Sequence, residues 1–210
     1  MFYKLKIIFF ILSFSLIGTV VFAADIYVDQ TLSQNITDGT YSIANRDSSG
    51  SDGDAYITPH AAVNAMNGGD DIFLRGGTYL LNGNSIYIAP EKSGTSQNWS
   101  SIQSYPGEWA ILDGESNIQD NYGAIIGYGA FGGQTLAYWK FERLELTRAG
   151  NEDKFAAIWV ENGPFIVRYC YIHDNTCPRA GRSNSGAIVG HTWHDSIIEF
   201  NYFYNNVGTE

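Results

Sequence analysis

The chain is poor in basic residues: 12 Lys and Arg face 22 Asp and Glu, for a formal net charge of −10. Binding of nucleic acid through phosphate neutralisation is therefore not expected. An acidic surface can still meet a polyanion through a bridging divalent cation or a local basic patch.

Cysteine is scarce as well, with Cys170 and Cys177 as the two present. At most one intramolecular disulfide can form, and the short separation of the pair permits it. Cys170 also falls at an inward position of the repeat described below, where a buried free thiol fits equally well. Both alternatives stay open.

Long apolar runs are confined to the N-terminus. Lys4 and Lys6 precede an apolar run at 7–21, and Ala23 follows as a small residue at the expected cleavage position. We expect residues 1–23 to be a secretory signal peptide. An uncleaved anchor is the alternative, but the run is short for a spanning helix, which needs about 20 apolar residues. The mature chain would be secreted or periplasmic, with no membrane attachment.

A two-part pattern occurs three times in the second half of the chain. Its first member is GAIIG at 123–127, then AAIWV at 156–160 and GAIVG at 186–190, which aligns Ala124, Ala157 and Ala187. Its second member is FERLEL at 141–146, then VRYCYI at 167–172 and IEFNYF at 198–203. Periods of about 20–50 residues are typical of solenoids and propellers. The β-branched and aromatic composition favours strands.

Alignment of the second members places apolar residues in two columns: Phe141, Val167 and Ile198 in one, and Leu146, Ile172 and Phe203 in the other. The bend that follows carries Asn175 and Asn206, and Asn at bends can form hydrogen-bonded ladders along a stack. Such coils bury their apolar side chains only against neighbouring coils. We predict an all-β parallel β-helix. A propeller, which needs four strands per repeat, is the alternative.

One helix is expected over 61–66, because Ala and Met favour helix, Thr58 can cap its start and Pro59 suits the first turn. A helix there would cover the open end of a coil and protect its edge strand. Strands are expected at 25–29, 71–75, 85–88, 101–104 and 110–113, with a polar loop at 30–54.

Residues 24–210 form one expected domain, which ends at Glu210 directly after a complete repeat. Since nothing caps that last repeat, we expect the domain to be truncated at the C-terminus. Residues that carry out the chemistry are then expected in further coils beyond Glu210.

Several motifs in the first half occur in a fixed order: SGSDG at 49–53, GGDDIFLRGGTY at 68–79, SGT at 93–95, YPGE at 105–108 and ILDG at 111–114. This order resembles the opening of secreted pectate lyase-like enzymes, most of all polysaccharide lyase family nine, with the alginate lyases and chondroitinase B of family six as near relatives. The resemblance implies a right-handed parallel β-helix with a short N-terminal capping helix. It also implies cleavage of a uronate-containing polysaccharide by β-elimination. The same opening heads β-helix proteins with other activities or none, and no catalytic motif of the family can be matched here.

β-Elimination needs neutralisation of the sugar carboxylate and a base for the C5 proton. Ca²⁺ held by Asp and Glu oxygens would serve the first need. Glu142, Arg168 and Glu199 form one outward column, and His173 beside Asp174 could be an oriented general base. The candidate catalytic residues are Arg168 and His173, and the candidate metal ligands are Glu142, Asp174 and Glu199. Charge pairing across coils and an ordinary surface turn are the alternatives.

Aromatic and histidine residues near coil edges are the candidate substrate contacts, because exposed rings can stack on sugar faces. They are Trp159, Trp193, His191 and His194. Core packing would equally explain a tryptophan, and loop polarity the histidines. The two histidines lack a third ligand at fixed spacing, so zinc is not predicted.

The leading hypothesis is therefore an exported, monomeric lyase of an acidic polysaccharide. A non-catalytic β-helix that binds glycan or serves as a surface spacer is the first alternative. The second is a glycoside hydrolase that uses paired carboxylates on the same scaffold.

Overall fold

The computed structural model describes residues 23–120, 123–128, 136–151, 155–177 and 185–208. Residues 1–22 of the expected signal peptide lie outside these ranges, as does Glu210. Within them, 18 strands form four sheets, and all neighbouring strands run parallel. An all-β parallel architecture is thus confirmed.

The strands belong to three larger sheets and one short pair. Sheet 1 contains, in spatial order, β2 (Asp54–Tyr56), β1 (Asp25–Val28), β3 (Asp71–Leu74), β6 (Ser100–Ser104), β9 (Trp139–Glu142), β12 (Phe165–Arg168) and β16 (Ile197–Glu199). Sheet 2 contains β4 (Gly77–Leu80), β7 (Ala110–Asp113), β10 (Leu144–Thr147), β13 (Tyr171–His173) and β17 (Tyr202–Tyr204). Sheet 3 contains β5 (Ile86–Ile88), β8 (Ala124–Tyr128), β11 (Ala156–Glu161) and β15 (Gly186–His191). A short pair joins β14 (Thr176–Cys177) to β18 (Val207–Gly208).

From β3 onward the chain passes through sheets 1, 2 and 3 in turn and then returns to sheet 1. Each strand pairs with the equivalent strand of the previous pass, as in a parallel solenoid. We call each pass a coil and number the coils from the one that begins with β3. Coil 4 contains β12, β13, β14 and β15, and coil 5 contains β16, β17 and β18.

The two apolar columns predicted from the repeat are confirmed. Val167 pairs with Phe141 and Ile198, and Ile172 pairs with Leu146 and Phe203. Side chains alternate between the two faces of a strand, so these residues point inward and fill the space between the sheets. In coil 5 the same columns are open, since Ile198 is 41% exposed and Phe203 is 45% exposed.

The second member of the repeat is not one strand, which corrects our expectation. Each copy divides into a strand of sheet 1 and a strand of sheet 2, joined at a residue in the left-handed conformation. These residues are Arg143, Tyr169 and Phe200, with φ of 53°, 57° and 54°. One left-handed residue redirects the chain sharply, so each copy turns a corner of the coil.

The alignment of the first members also needs one correction. Ala124 pairs with Ala156, not with Ala157, and Ala156 in turn pairs with Gly186. A shift of one residue exchanges the inward and outward faces of a strand. The true register places Ala124 and Ala156 together against the ring of Trp159, apart from the main core.

The helix α1 spans Pro59–Ala65 and begins as expected. Thr58 lies in extended conformation at its N-cap, and its Oγ1 accepts a hydrogen bond from the Ala61 N–H at 3.2 Å. The helix buries Ala62 and Val63 and packs beside β1, β2, β3 and β5. No helix among the described residues is long and apolar enough to cross a membrane.

A buried polar network fixes the 30–54 loop to the first coils. Arg46 donates to both carboxylate oxygens of Asp29, and the Tyr41 hydroxyl donates to the same group at 2.8 Å. Arg75 donates to the Tyr41 hydroxyl at 2.9 Å and to Glu108 at 2.6 Å. Burial opposes ionisation of Asp29, but these hydrogen bonds outweigh it and hold its pKa well below the usual range. The hydrogen bond from Arg75 likewise lowers the pKa of Glu108.

Both cysteines are buried thiols that no disulfide joins. The Cys170 thiol lies within hydrogen-bond distance of the carbonyl oxygens of Phe141 and Arg168, at 3.5 and 3.4 Å. Burial raises the pKa of Cys170 to about 12. Of the two alternatives for the pair, the structure shows the reduced one.

Candidate functional site

The outer face of sheet 2 combines aromatic rings, carboxylates and a histidine. Residues of β10, β13 and β17 alternate in direction, so apolar side chains enter the core while polar and aromatic ones face outward. We call this outer surface the aromatic–histidine face. It consists of Trp109, Glu145, Tyr171, His173, Asp174, Tyr202 and Tyr204.

A continuous chain of hydrogen bonds crosses four coils on this face. Trp109 Nε1 donates to Glu145 Oε2 at 2.7 Å, and Glu145 Oε1 lies 3.1 Å from His173 Nε2. His173 Nδ1 lies 2.8 Å from Asp174 Oδ2, and Asn205 Nδ2 donates to Asp174 Oδ1 at 2.6 Å. His173 is therefore held between two carboxylates.

This arrangement restricts the chemistry of His173. A neutral imidazole has one N–H and can donate to one of the two carboxylates, whereas the imidazolium donates to both. To accept a proton from a substrate, the ring must give up one contact. The Asp174 side chain is 44% exposed and the Glu145 side chain 18% exposed, so Asp174 is the contact nearer to solvent. Hydrogen bonds from His173 and then Asn205 lower the pKa of Asp174, which keeps it an acceptor.

Aromatic rings lie on one side of the histidine and along the same face. The Tyr171 ring stacks on the His173 ring with centroids 4.0 Å apart, and Tyr202 lies 5.2 Å from Tyr171. Tyr202 is 62% exposed, Tyr204 is 55% exposed and Trp109 is 43% exposed. Large exposed rings next to hydrogen-bonding groups are suited to a ligand that is partly apolar and partly polar, as a sugar is.

The column of Glu142, Arg168 and Glu199 forms on the outer face of sheet 1, as predicted. Arg168 Nε donates to Glu142 Oε1 at 2.6 Å, and its Nη1 lies 3.8 Å from Glu199. The hydrogen bond to Glu142 raises the pKa of Arg168. Glu142 is only 5% exposed, so it is a fixed support for the guanidinium and not an open surface ligand.

The three candidate metal ligands do not form one site. Glu142 and Glu199 flank Arg168 on sheet 1, whereas Asp174 follows β13 on sheet 2 and binds His173 and Asn205. Within the part of the chain that the structure describes, no group of three or more His, Cys, Asp or Glu is arranged to hold a metal ion. These residues do not fit a shared Ca²⁺ site.

The candidate substrate contacts in and beside sheet 3 have different environments. Trp159 is 2% exposed and packs against Ala124, Ala156 and Val189, so its ring is not presented to solvent. Trp193 is 40% exposed and rests edge-on against Phe165 at 5.1 Å.

The two histidines near this edge also differ. The His194 side chain is 60% exposed and lies 3.3 Å from Asp195. His191 ends β15, and its side chain is outside the described residues. None of these residues belongs to the aromatic–histidine face.

Several residues in and beside the aromatic–histidine face were not predicted. Trp109 and Asn205 complete the hydrogen-bonded chain, and Tyr169 and Phe200 extend the aromatic surface to the corner of the coil. The sequence does contain a signal for the rings, since aromatic residues or histidine occupy every second position at 169–173 and 200–204. Trp109 has no such signal, because it precedes β7 in a loop that the repeat does not include.

Catalytic residues were also expected in coils beyond Glu210, outside the aromatic–histidine face. Glu210 itself lies outside the described residues, so this expectation stays a prediction. The face is nevertheless built entirely from residues before that point, since coil 5 supplies its last members, Tyr202 and Tyr204.

The fold and this face define a parallel solenoid with a polar and aromatic surface on one sheet. Comparisons with protein-family models, curated proteins and solved structures found no match for the chain.

Proposed function

We propose that the protein is an exported right-handed parallel β-helix that binds an acidic polysaccharide on the aromatic–histidine face and cleaves it by β-elimination. In this proposal α1 is the N-terminal cap, and the apolar N-terminal run is the export signal. The single observation that carries the function is His173, held between Glu145 and Asp174 and stacked on Tyr171. An oriented imidazole beside exposed rings suits proton transfer on a bound sugar.

The reaction would proceed in a defined order. Tyr202 and Tyr204 stack on sugar units and place a uronate over β13. His173 exchanges its contact with Asp174 for the C5–H and takes that proton. The electron pair forms the C4=C5 bond, the C4–O glycosidic bond breaks, and the leaving oxygen takes a proton from the solvent. Glu145 keeps the ring in place through Nε2.

Neutralisation of the uronate carboxylate is attributed to cationic side chains of the chain itself. Arg148 directly follows β10 of sheet 2, its side chain is 50% exposed, and in this proposal it exchanges its pairing with Asp113 for the uronate carboxylate. Ca²⁺ has no part in the proposed reaction, because the candidate ligands Glu142 and Glu199 lie on sheet 1 and Asp174 follows a strand of sheet 2.

A non-catalytic glycan-binding β-helix is the second candidate. Its support is that both ring nitrogens of His173 are already engaged by carboxylates. If that arrangement persists with ligand bound, the face binds sugar without abstracting a proton.

The test uses residues 24–210 with pectate, alginate and chondroitin sulfate, each with Ca²⁺ or with a chelator. Ultraviolet absorbance of the unsaturated uronate reports β-elimination, reducing-end release without that absorbance reports hydrolysis, and retardation in gels containing each polymer reports binding. We expect absorbance to rise with one polymer. Binding without either product would support the second candidate, and no binding to any polymer by the folded protein would remove both.

A further inference from the structure

The corner between sheets 1 and 2 carries an exposed pair of stacked rings. Tyr169 of coil 4 and Phe200 of coil 5 both occupy the left-handed corner position. Their ring centroids are 5.3 Å apart and their planes differ by 5°. Tyr169 is 47% exposed and Phe200 is 71% exposed. Exposed aromatic rings of this kind offer an apolar surface on which the C–H face of a sugar can pack.

A guanidinium group borders this ring pair. Arg168 precedes Tyr169, and its Cζ lies 5.8 Å from the Tyr169 ring centroid. Glu142 takes the Nε donor at 2.6 Å, while the Nη1 contact to Glu199 at 3.8 Å is too long for a hydrogen bond. Among the described residues, no hydrogen bond uses either Nη atom of Arg168. Glu142, which holds the Arg168 guanidinium, is itself buried. The guanidinium therefore has a fixed position, and its two Nη groups stay available as donors.

Arg46, Arg75 and Arg148 differ from Arg168, because each directs at least two donors to one carboxylate. Arg148 grips both oxygens of Asp113, Arg46 grips both oxygens of Asp29, and Arg75 divides its donors among Glu108, Tyr41 and a carbonyl. Arg168 thus offers a paired Nη donor edge next to an apolar platform, on a protein of net charge −10. A carboxylate accepts two parallel N–H bonds from such an edge.

We propose that Arg168, Tyr169 and Phe200 form a subsite for one uronate unit of an acidic polysaccharide. The Nη donors bind the sugar carboxylate in place of Glu199, and the C–H face of the sugar ring packs on the ring pair. Arg168 is then a binding residue and not a base. This subsite rests on the proposed function for its ligand class. Because Arg168, Tyr169, Tyr171 and His173 follow one another on coil 4, it places the polymer across the coil, from the corner towards His173.

The test measures binding of oligouronates from pectate, alginate and chondroitin sulfate by calorimetry, beside the same oligomers with their carboxyl groups reduced to alcohols. Arg168→Lys keeps the positive charge but removes the planar pair of Nη donors. We expect it to weaken oligouronate binding about tenfold. We expect Phe200→Ala to weaken binding of both forms about threefold or more. Glu199→Gln removes the competing carboxylate and should strengthen oligouronate binding alone. Tyr87→Ala, an exposed ring on sheet 3 (42% exposed), is the matched control.

The outcomes separate this subsite from the proposed function. Unchanged affinities of Arg168→Lys, Phe200→Ala and Glu199→Gln, with cleavage intact, would overturn the subsite alone. If the three variants show the expected changes in affinity but the protein cleaves no polymer, the subsite is supported and the proposal of β-elimination is excluded. Absence of oligouronate binding in the wild-type protein would overturn both.

Discussion

The Asn175 side-chain amide donates to the Oδ1 of Asn206 in the next coil at 2.7 Å. Asn175 is fully buried, and the same side chain accepts from the Ala149 N–H at 2.7 Å and donates to the Leu146 carbonyl at 3.3 Å. Asn206 repeats the pattern by donating to the Ile172 carbonyl at 2.8 Å. These stacked asparagines therefore satisfy backbone groups at a bend where the strand ladder is interrupted.

Replacement of Asn175 tests this ladder. Asn175→Ala leaves a buried N–H and a buried carbonyl without hydrogen bonds, so we expect the free energy of unfolding to fall by about 2–4 kcal/mol. Urea denaturation followed by circular dichroism measures it. Asn64→Ala, at an exposed position of α1, is the control and should change stability little. Equal effects of the two variants would show that the ladder adds nothing specific.

His173 is the residue on which the proposed chemistry depends. We expect His173→Gln to reduce the rate of uronate cleavage at least about 100-fold, because general-base catalysis contributes about that much or more. His60→Gln is the matched control, since His60 contacts the Asn84 carbonyl, at 3.3 Å, on another part of the solenoid. Cleavage at the wild-type rate by His173→Gln would exclude the assigned base, whatever the polymer.

The buried network around Asp29 predicts a dependence of stability on pH. The folded-state pKa of Asp29 and that of Glu108 are both lowered. A carboxyl with a lowered folded pKa contributes stability that is present above its unfolded value of about 4 and is lost as the pH falls towards the folded value. The attachment of the loop at 30–54 to the first coils should therefore weaken in acid.

Asp29→Asn isolates that contribution. We expect the variant to be less stable than the wild type at about pH 7, and the difference to shrink as the pH falls from about 4 to about 3, because the unfolded wild type then binds a proton that the folded Asp29 carboxylate does not. Melting temperatures of both proteins across this range measure the effect. A constant difference between them would show that ionisation of Asp29 is not the cause.

The thiols give a simple check of the core. With its pKa raised to about 12 by burial, Cys170 has almost no reactive thiolate at neutral pH. We expect neither cysteine to react with an aromatic disulfide reagent in the native protein and both to react in urea. Reagent consumption by the folded protein would contradict the buried positions. No reaction in urea without reductant would reveal a disulfide instead.

The sequence predicts the interior of this solenoid better than its corners. The columns through Val167 and Ile172 follow from spacing, since apolar residues at matching positions must pack on one another. The corner residues Arg143, Tyr169 and Phe200 share no composition that marks a left-handed φ, so the repeat predicted longer strands than the structure has. The one-residue error in the first members arose because small apolar residues adjoin there, and either register is equally apolar.

The candidate site was harder to predict from the sequence than the fold, for a related reason. The outward columns predicted which residues share a face, and so placed His173 beside Asp174 and Arg168 between Glu142 and Glu199. The contact of His173 with Glu145 is diagonal across strands, and that of Glu145 with Trp109 involves a loop outside the repeat. Alignment alone cannot supply such contacts, because they depend on side-chain reach between coils.

Variants of Trp159 and Trp193 distinguish a role in core packing from a role in ligand binding. Trp159 is buried and donates from Nε1 to Glu161 at 3.1 Å, so Trp159→Ala should lower the free energy of unfolding by about 3 kcal/mol or more. The milder Trp159→Phe variant should bind oligouronates as the wild type does, since the ring does not reach solvent. Trp193→Ala should cost less stability, because that ring is 40% exposed. Calorimetry measures oligouronate binding by Trp159→Phe and Trp193→Ala under conditions in which both variants are folded. Weakened binding in Trp159→Phe alone would mean that sheet 3, and not the aromatic–histidine face, contacts the polymer.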